Sequence, residues 1–257
     1  MKKNIYIAAI ILISFVLPCT ASAKGLVTQI LHEMEEQYEI GCDLTGKVTL
    51  TSEKVKQGIQ ETEYLFYRRD SDDSFLIAAL SPEREKGNGY LGVDNNMWMY
   101  RRNTRTFQHI SRDERIGDTG VSVENIENKN ITELYASVTE KEGKEIFKEE
   151  RLGKISVYKF DVKAIVKDVS YPKHTFWVRK DNHLLLKKES YSLSGTLMQT
   201  VYYVKYTNIN GRYLPIKYIA VDEFEKGNKT IIDVSGISLK KLDDTLFTKA
   251  YLENLSK

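Results

Sequence analysis

Few residues able to do chemistry stand at the spacing that chemistry needs. The four histidines, His32, His109, His174 and His183, are far apart, and none forms a His-x-x-x-His or Cys-His arrangement suited to a metal. There is no Gly-x-Ser-x-Gly nucleophile elbow, no phosphate-binding Gly-rich loop and no dinucleotide fingerprint. No cofactor, metal or catalytic residue is therefore expected. A hydrolytic triad need not be local in sequence, so an exported, phospholipase-like lipid-ester hydrolase stands as the alternative function, beside a structural envelope protein. Asp70, Asp72 and Asp73 lack the Gly and the distal Glu of a twelve-residue calcium loop and read as a solvated hairpin turn. Arg101, Arg102, Arg105, Arg112 and Arg115 alternate with Tyr100, Phe107 and His109. That pattern suits a lipid headgroup phosphate or an acidic partner, with Arg101, Arg112 and Arg115 as the candidate contacts, and equally suits the solvated face of a hairpin.

Aromatic residues carry more information. Tyr64, Phe66, Tyr67, Trp98, Tyr100, Phe176, Trp177, Tyr202, Tyr203 and Tyr206 fall in segments that read as strands, where each offers a large apolar body and, for Tyr and Trp, a polar tip. Strand alternation puts Trp98 and Tyr100 on one face and Met97 and Met99 on the other. Residues 75–80 are almost wholly apolar. Strands apolar on both faces need cover on both, from helices, bound lipid or a partner.

The elements that must position these residues follow from periodicity. Leu26, Ile30, Leu31 and Met34 recur at helical spacing within 25–38 and predict an amphipathic helix. From Lys47 onward, short runs rich in Val, Ile, Thr, Tyr and Phe predict strands at 47–52, 59–69, 75–80, 89–93, 97–101, 106–111, 145–151, 155–162, 174–179, 184–192, 196–206, 214–224 and 229–238. Asp70 to Asp73, Asp94-Asn95-Asn96, Asp181-Asn182, Ser194-Gly195, Asn210-Gly211 and Gly227-Asn228 supply turn chemistry between them, so consecutive strands are antiparallel neighbours. Val123, Ile126, Ile131, Leu134 and Val138 predict helix within the polar interval 113–144, and Leu246, Phe247, Tyr251, Leu252 and Leu255 a short closing helix capped by Asp243 or Asp244. The fold class is α+β, mainly β, with about 11–13 strands. Accumulated twist makes so wide a sheet curl. With few helices to fill its concave face, a hydrophobic ligand cavity is expected there.

Composition bounds the compartment and the partners. The 257 residues are 41% hydrophobic and 29% charged, an ordinary globular balance. Lys2 and Lys3 precede an apolar run from Ile5 to Leu17, then Pro18 and Ala21-Ser22-Ala23, which reads as a signal peptide over 1–23 followed by one domain over 24–257. The run is too short to span a bilayer, which takes about 20 residues. Losing both lysines brings 38 basic residues to parity with the 36 acidic ones, and a neutral surface argues against a nucleic-acid partner. Cys19, after Val16-Leu17-Pro18, has a second reading as an acylated lipoprotein cysteine; without it Cys42 is the one cysteine left, so no disulfide is expected. Either reading places the protein outside the cytoplasm, in the periplasm or tethered to a membrane.

The stretch Gly89-Tyr90-Leu91-Gly92-Val93-Asp94-Asn95-Asn96-Met97-Trp98-Met99-Tyr100, followed by Thr104, Ile110-Ser111 and Arg115-Ile116-Gly117, resembles the outer membrane lipoprotein-sorting protein family, the LolA/LolB-like periplasmic carriers. The likeness extends to Tyr213-Leu214-Pro215 and Leu246-Phe247-Thr248. Arg101-Arg102 stands where members usually carry Pro, and 118–122 where they carry a Gly-Ser-Asp-Phe-like segment. The resemblance implies a curved, unclosed antiparallel β-barrel with a helical lid. Its apolar interior would accept the acyl chains of lipoproteins or phospholipid for transfer to the outer membrane, without catalysis. An inner-membrane transporter as donor, an outer-membrane acceptor and a monomeric state go with that reading. The expected cavity lining is Tyr64, Phe66, Leu76, Ala78, Trp98, Tyr100, Phe176 and Val178, with Met97, Met99 and Met198 as adaptable contacts.

Overall fold

The computed structural model describes residues 25–94, 96–117, 119–123 and 131–256. The expected signal peptide over 1–23 with Cys19, and the Ile126 part of the expected middle helix, lie outside the described residues. Helix α1 (Leu26–Tyr38) buries Val27, Ile30, Leu31 and Met34 as one stripe. A first meander follows: β1 (Asp43–Lys54), β2 (Gly58–Arg69), β3 (Ser74–Ser81), β4 (Gly89–Val93), β5 (Asn96–Arg101) and β6 (Thr106–His109). One helical turn, α2 (Ile131–Leu134), runs directly into β7 (Tyr135–Ser137). The second meander is β8 (Phe147–Leu152), β9 (Ile155–Ala164), β10 (Lys173–Arg179), β11 (Leu185–Tyr191), β12 (Leu197–Ile209), β13 (Arg212–Asp222) and β14 (Lys229–Ser238). A 3₁₀ turn (Asp244–Leu246) and α3 (Lys249–Leu255) come last.

All fourteen strands form one antiparallel sheet in the order β6-β5-β4-β3-β2-β1-β14-β13-β12-β11-β10-β9-β7, with β8 also on β9. Local hairpins build each half, and the long-range pairing of β1 with β14, from Thr45 opposite Ser238 to Glu53 opposite Lys229, joins them. The turns behave as their residues demand. Asn210 and Gly211, with φ of 52° and 86°, make the tight β12–β13 hairpin, and Asp94 takes φ 52° after β4.

The extra strand beyond the expected count is β7. Its residues continue the helical spacing of Ile131 and Leu134, yet Tyr135 and Ser137 pair with Ala164 and Val162 on the open edge of β9. A ladder edge outweighs the weak preference of one turn for helix. The capping expectation also shifts: Asp243 caps the 3₁₀ turn, and Thr248 caps α3.

The sheet is unclosed but strongly curled. Gly117 N donates to Tyr90 Oη on β4 at 2.8 Å, while Gln199 Nε2 on β12 donates to Gly120 O at 2.7 Å. One short segment thus bridges strands six places apart in the sheet. Ile116, Val121 and Val123 of that segment pack with Tyr64, Ile77, Tyr90 and Met99 from one half and Val201, Ala220 and Ile232 from the other. Elsewhere on the concave face α1 covers Phe160, Val162, Phe176 and Val178. The convex face of β3–β5 is covered by α3 through Leu252 and by Phe247 just before it, against Leu76, Ala78, Leu91 and Tyr100. The doubly apolar strands therefore have protein cover on both sides.

Candidate functional site

Between α1 and the Ile116/Val121 segment the concave face borders a cavity of about 260 Å³. Its floor comes from alternate residues of the curled sheet: Val48 and Leu50 of β1, Tyr64 and Phe66 of β2, Ile77 of β3, Phe176 of β10, Val201 and Tyr203 of β12, Tyr218 and Ala220 of β13. Its roof is Met34, Glu35 and Tyr38 of α1, with Ile131 and Leu134 of α2. Most of this lining is apolar, which suits a hydrocarbon.

The expected lining residues divide by face. Tyr64, Phe66 and Phe176 line the cavity. Val178 is on the same face but sealed beneath α1. Leu76, Ala78, Trp98 and Tyr100 are on the convex face, packed with Leu252 and Phe247. Alternation alone leaves open which of two apolar faces is inward, and here the curl turns Ile77, Met97 and Met99 inward. The convex placement of Trp98 is reinforced by Lys249, whose Nζ lies 4.2 Å from the indole centroid. Helix α3 comes so close to β4 that a Cβ on Gly89 would stand 2.6 Å from Leu252 Cδ1.

The candidate arginines do not act as one patch. Arg112 pairs with Asp168 at 2.9 Å, and the carbonyl of the exposed Arg115 accepts from Tyr90 Oη at 3.3 Å. Arg101 is exposed at the end of β5. The acidic turn is not simply solvated: Asp70 takes Arg68 Nε at 2.6 Å and Gly41 N at 2.8 Å, and Asp72 pairs with Arg69 at 2.6 Å. No metal-ligand cluster occurs among the described residues.

Polar groups missed by periodicity border the cavity at Tyr38, His174, Lys188, Tyr203 and Tyr218, with Tyr206 packed behind Tyr203. Tyr203 stacks on Tyr218 at 5.8 Å and on Tyr206 at 6.3 Å between centroids. Burial pushes the phenols of Tyr38, Tyr203, Tyr206 and Tyr218 well above their usual range, so all four stay protonated donors. Tyr206 donates to Leu185 O at 2.6 Å. His174 is buried with Nδ1 3.0 Å from Ser190 Oγ and its ring stacked on Phe176. Burial first, and the Lys188 ammonium second, hold this imidazole well below its usual range. Lys188 itself lines the cavity from β11. Among these, the sequence singles out Tyr203 and Tyr206 through their place in an aromatic-rich run and His174 as one of four scattered histidines; for Lys188 the signal is strand register, which a single strand does not reveal.

The roof is pinned at both ends. Glu145 accepts from Val27 N and Thr28 N at the start of α1. At its end Arg68 Nη2 donates to Tyr38 O at 2.5 Å, and Arg212 donates to the carbonyls of Glu36 and Glu39. Glu35 accepts from Thr132 N at 2.5 Å, tying α1 to α2.

A family model described as that of an uncharacterized protein matches residues 71–254. No curated protein matches the sequence. Among solved structures the chain is similar to a LolA superfamily protein from Nitrosomonas europaea, with a TM-score of 0.73 and 23% identity over 87% of this chain and 97% of that one. It is also similar to an outer membrane lipoprotein-sorting protein domain from Vibrio parahaemolyticus, with a TM-score of 0.76 and 16% identity over 88% of this chain and 97% of that one. A DUF1329 family protein from Desulfovibrio piger gives a TM-score of 0.76 and 20% identity over 89% of this chain and 99% of that one. At such identities the likeness is one of fold.

Proposed function

Because the chain belongs to the family of uncharacterized proteins whose model spans residues 71–254, and has the fold of the LolA superfamily, we propose that it is a noncatalytic carrier of acyl chains. The observation that carries this reading is the cavity of about 260 Å³ under α1, walled by Val48, Leu50, Phe66, Ile77, Phe176 and Val201. Each methylene moved from water into such a wall is worth about 0.8 kcal/mol, so one long chain gains on the order of 10 kcal/mol before ordering costs. A carrier must also let go. A roof held by an apolar stripe and by hydrogen bonds at its ends, rather than by continuous strand pairing, is the element whose movement would let cargo in and out.

The carrier works outside the cytoplasm, moving lipoprotein acyl chains or phospholipid toward the outer membrane between a membrane donor and a membrane acceptor. It is either soluble after loss of residues 1–23 or tethered through Cys19. No helix among the described residues is long and apolar enough to cross a membrane. The Ser190–His174 pair does not favour a hydrolase, because the Ser190 side chain is fully covered in the sheet, with 0% exposure. Native mass spectrometry of protein from its own envelope tests the proposal. A dissociable lipid adduct is expected, and lipid-free protein that also takes up no added lipid overturns it.

A further inference from the structure

We infer that the cavity recognises the carbonyl of an acyl ester through the paired phenols of Tyr203 and Tyr218, and so prefers an ester-linked lipid to its ether-linked analogue; this inference rests on the carrier reading. The two residues are direct cross-strand partners on β12 and β13, their rings stacked at 5.8 Å between centroids and 27° between planes, and both line the cavity. Strand pairing thus sets two hydroxyls side by side on an otherwise apolar stretch of wall, next to the Val201–Ala220 pair. Neither hydroxyl hydrogen-bonds a protein group among the described residues: burial alone raises the Tyr203 phenol, and burial with the neighbouring Tyr203 raises that of Tyr218. Other polar lining groups have protein partners. Tyr38 is hydrogen-bonded to Tyr206, His174 meets Ser190, and Glu35 receives Thr132 N.

A buried tyrosine hydroxyl ordinarily finds a partner, as Tyr90 and Tyr135 do with the carbonyls of Arg115 and Tyr171. The sealed side-chain atom left without one among the described residues is Ser74 Oγ, so the Tyr203 and Tyr218 hydroxyls are open to the cavity and not closed off in packing. Cargo that fills the cavity expels water from both. A bare methylene chain then leaves two donors desolvated and unpaired, a cost that burial of hydrocarbon has to overcome. A carbonyl oxygen, with two lone pairs, accepts from one or both phenols and removes that cost. The donors are neutral, so they select a carbonyl without requiring a charge on the cargo. Discrimination of this kind, against an analogue that lacks the hydrogen-bonding group, is the strongest that a largely apolar site can exert.

The test is calorimetric titration of the delipidated full chain with 1-lauroyl-lysophosphatidylcholine and its 1-O-dodecyl ether analogue, each below its aggregation concentration. The two share head and chain length and differ in the carbonyl. The ester should bind roughly tenfold tighter, about 1.4 kcal/mol. A double variant, Tyr203→Phe with Tyr218→Phe, keeps both rings and removes both donors, and should bind the two lipids equally. Thermal unfolding reports whether the variant is folded; if it is not, the single variants serve, each expected to lose part of the preference. Equal affinities in the natural protein, or a preference that survives undiminished in the folded variants, overturn this inference alone. Failure of both lipids to bind overturns the carrier reading with it.

Discussion

Glu145 caps α1 from 118 residues further along the chain, its Oε2 accepting from Val27 N at 2.6 Å and its Oε1 from Thr28 N at 2.9 Å. The residue at the N-cap position, Gly25, has no side chain to do this, and its missing Cβ leaves room: one built there would lie 2.2 Å from the Glu145 carboxyl carbon. Burial pushes the Glu145 carboxyl up, but the hydrogen bonds from Thr28, Val27 and Ser137 outweigh it and hold the group below the usual glutamate range.

Glu145→Ala should therefore destabilise the protein by about 1–2 kcal/mol, the range for a lost cap. The loss should concentrate in α1. Urea unfolding measures the first, and faster amide exchange at residues 27–30 the second. The contribution is present above the unfolded glutamate pKa, near 4.3, and is lost as pH falls through the depressed folded value.

His174 sets a second acid window. Its folded pKa is depressed and its unfolded pKa is near 6.5, so below about pH 6.5 the unfolded chain binds a proton that the folded one refuses. Stability should fall with pH from there by up to about 1.4 kcal/mol per unit, until pH drops below the folded pKa. His174→Phe should flatten the curve between pH 6.5 and 5, above the range where carboxylates such as Glu145 titrate. Equal slopes in the two proteins would show that the imidazole does not titrate on unfolding as described.

Ala220 faces the cavity beside Val201. Ala220→Phe should fill space rather than overpack a tight core, leaving the melting temperature within a few degrees while removing bound lipid. Native mass spectra of the variant beside the unaltered protein read this directly.

Trp98 packs in the cluster around α3, with Lys249 over its indole, and does not border the cavity. Trp98→Ala should cost about 2 kcal/mol, below the 3–5 typical of a fully buried aromatic, because the ring is only half-buried. Lipid affinity should not change. Weaker lipid binding in a folded variant would return Trp98 to the cavity.

The positions of all thirteen expected strands were legible because alternation and turn chemistry are local properties. Asn210-Gly211 needs only two left-handed residues to make its hairpin, whatever lies beyond. The same locality explains the error at β7, where the spacing of Ile131, Leu134 and Val138 says helix but the exposed edge of β9 recruits Tyr135 and Ser137. An edge supplied by residues nearly thirty positions away leaves no mark on the segment it captures.

The candidate site was legible by half for a related reason. Residues 75–80 are apolar on both faces, so the sequence by itself determined that β3 is covered twice, but not which face looks inward. Tertiary structure decided that through the β1–β14 pairing, which joins the two meanders, and through the curl that brings Tyr90 and Gln199 to one segment. Curl is a property of the whole sheet, summed over every strand-to-strand twist, and no single strand encodes its sign relative to its own side chains. Ile77 and Lys188 therefore face the cavity, and Leu76 and Trp98 face α3, for reasons that exist only once both halves are joined.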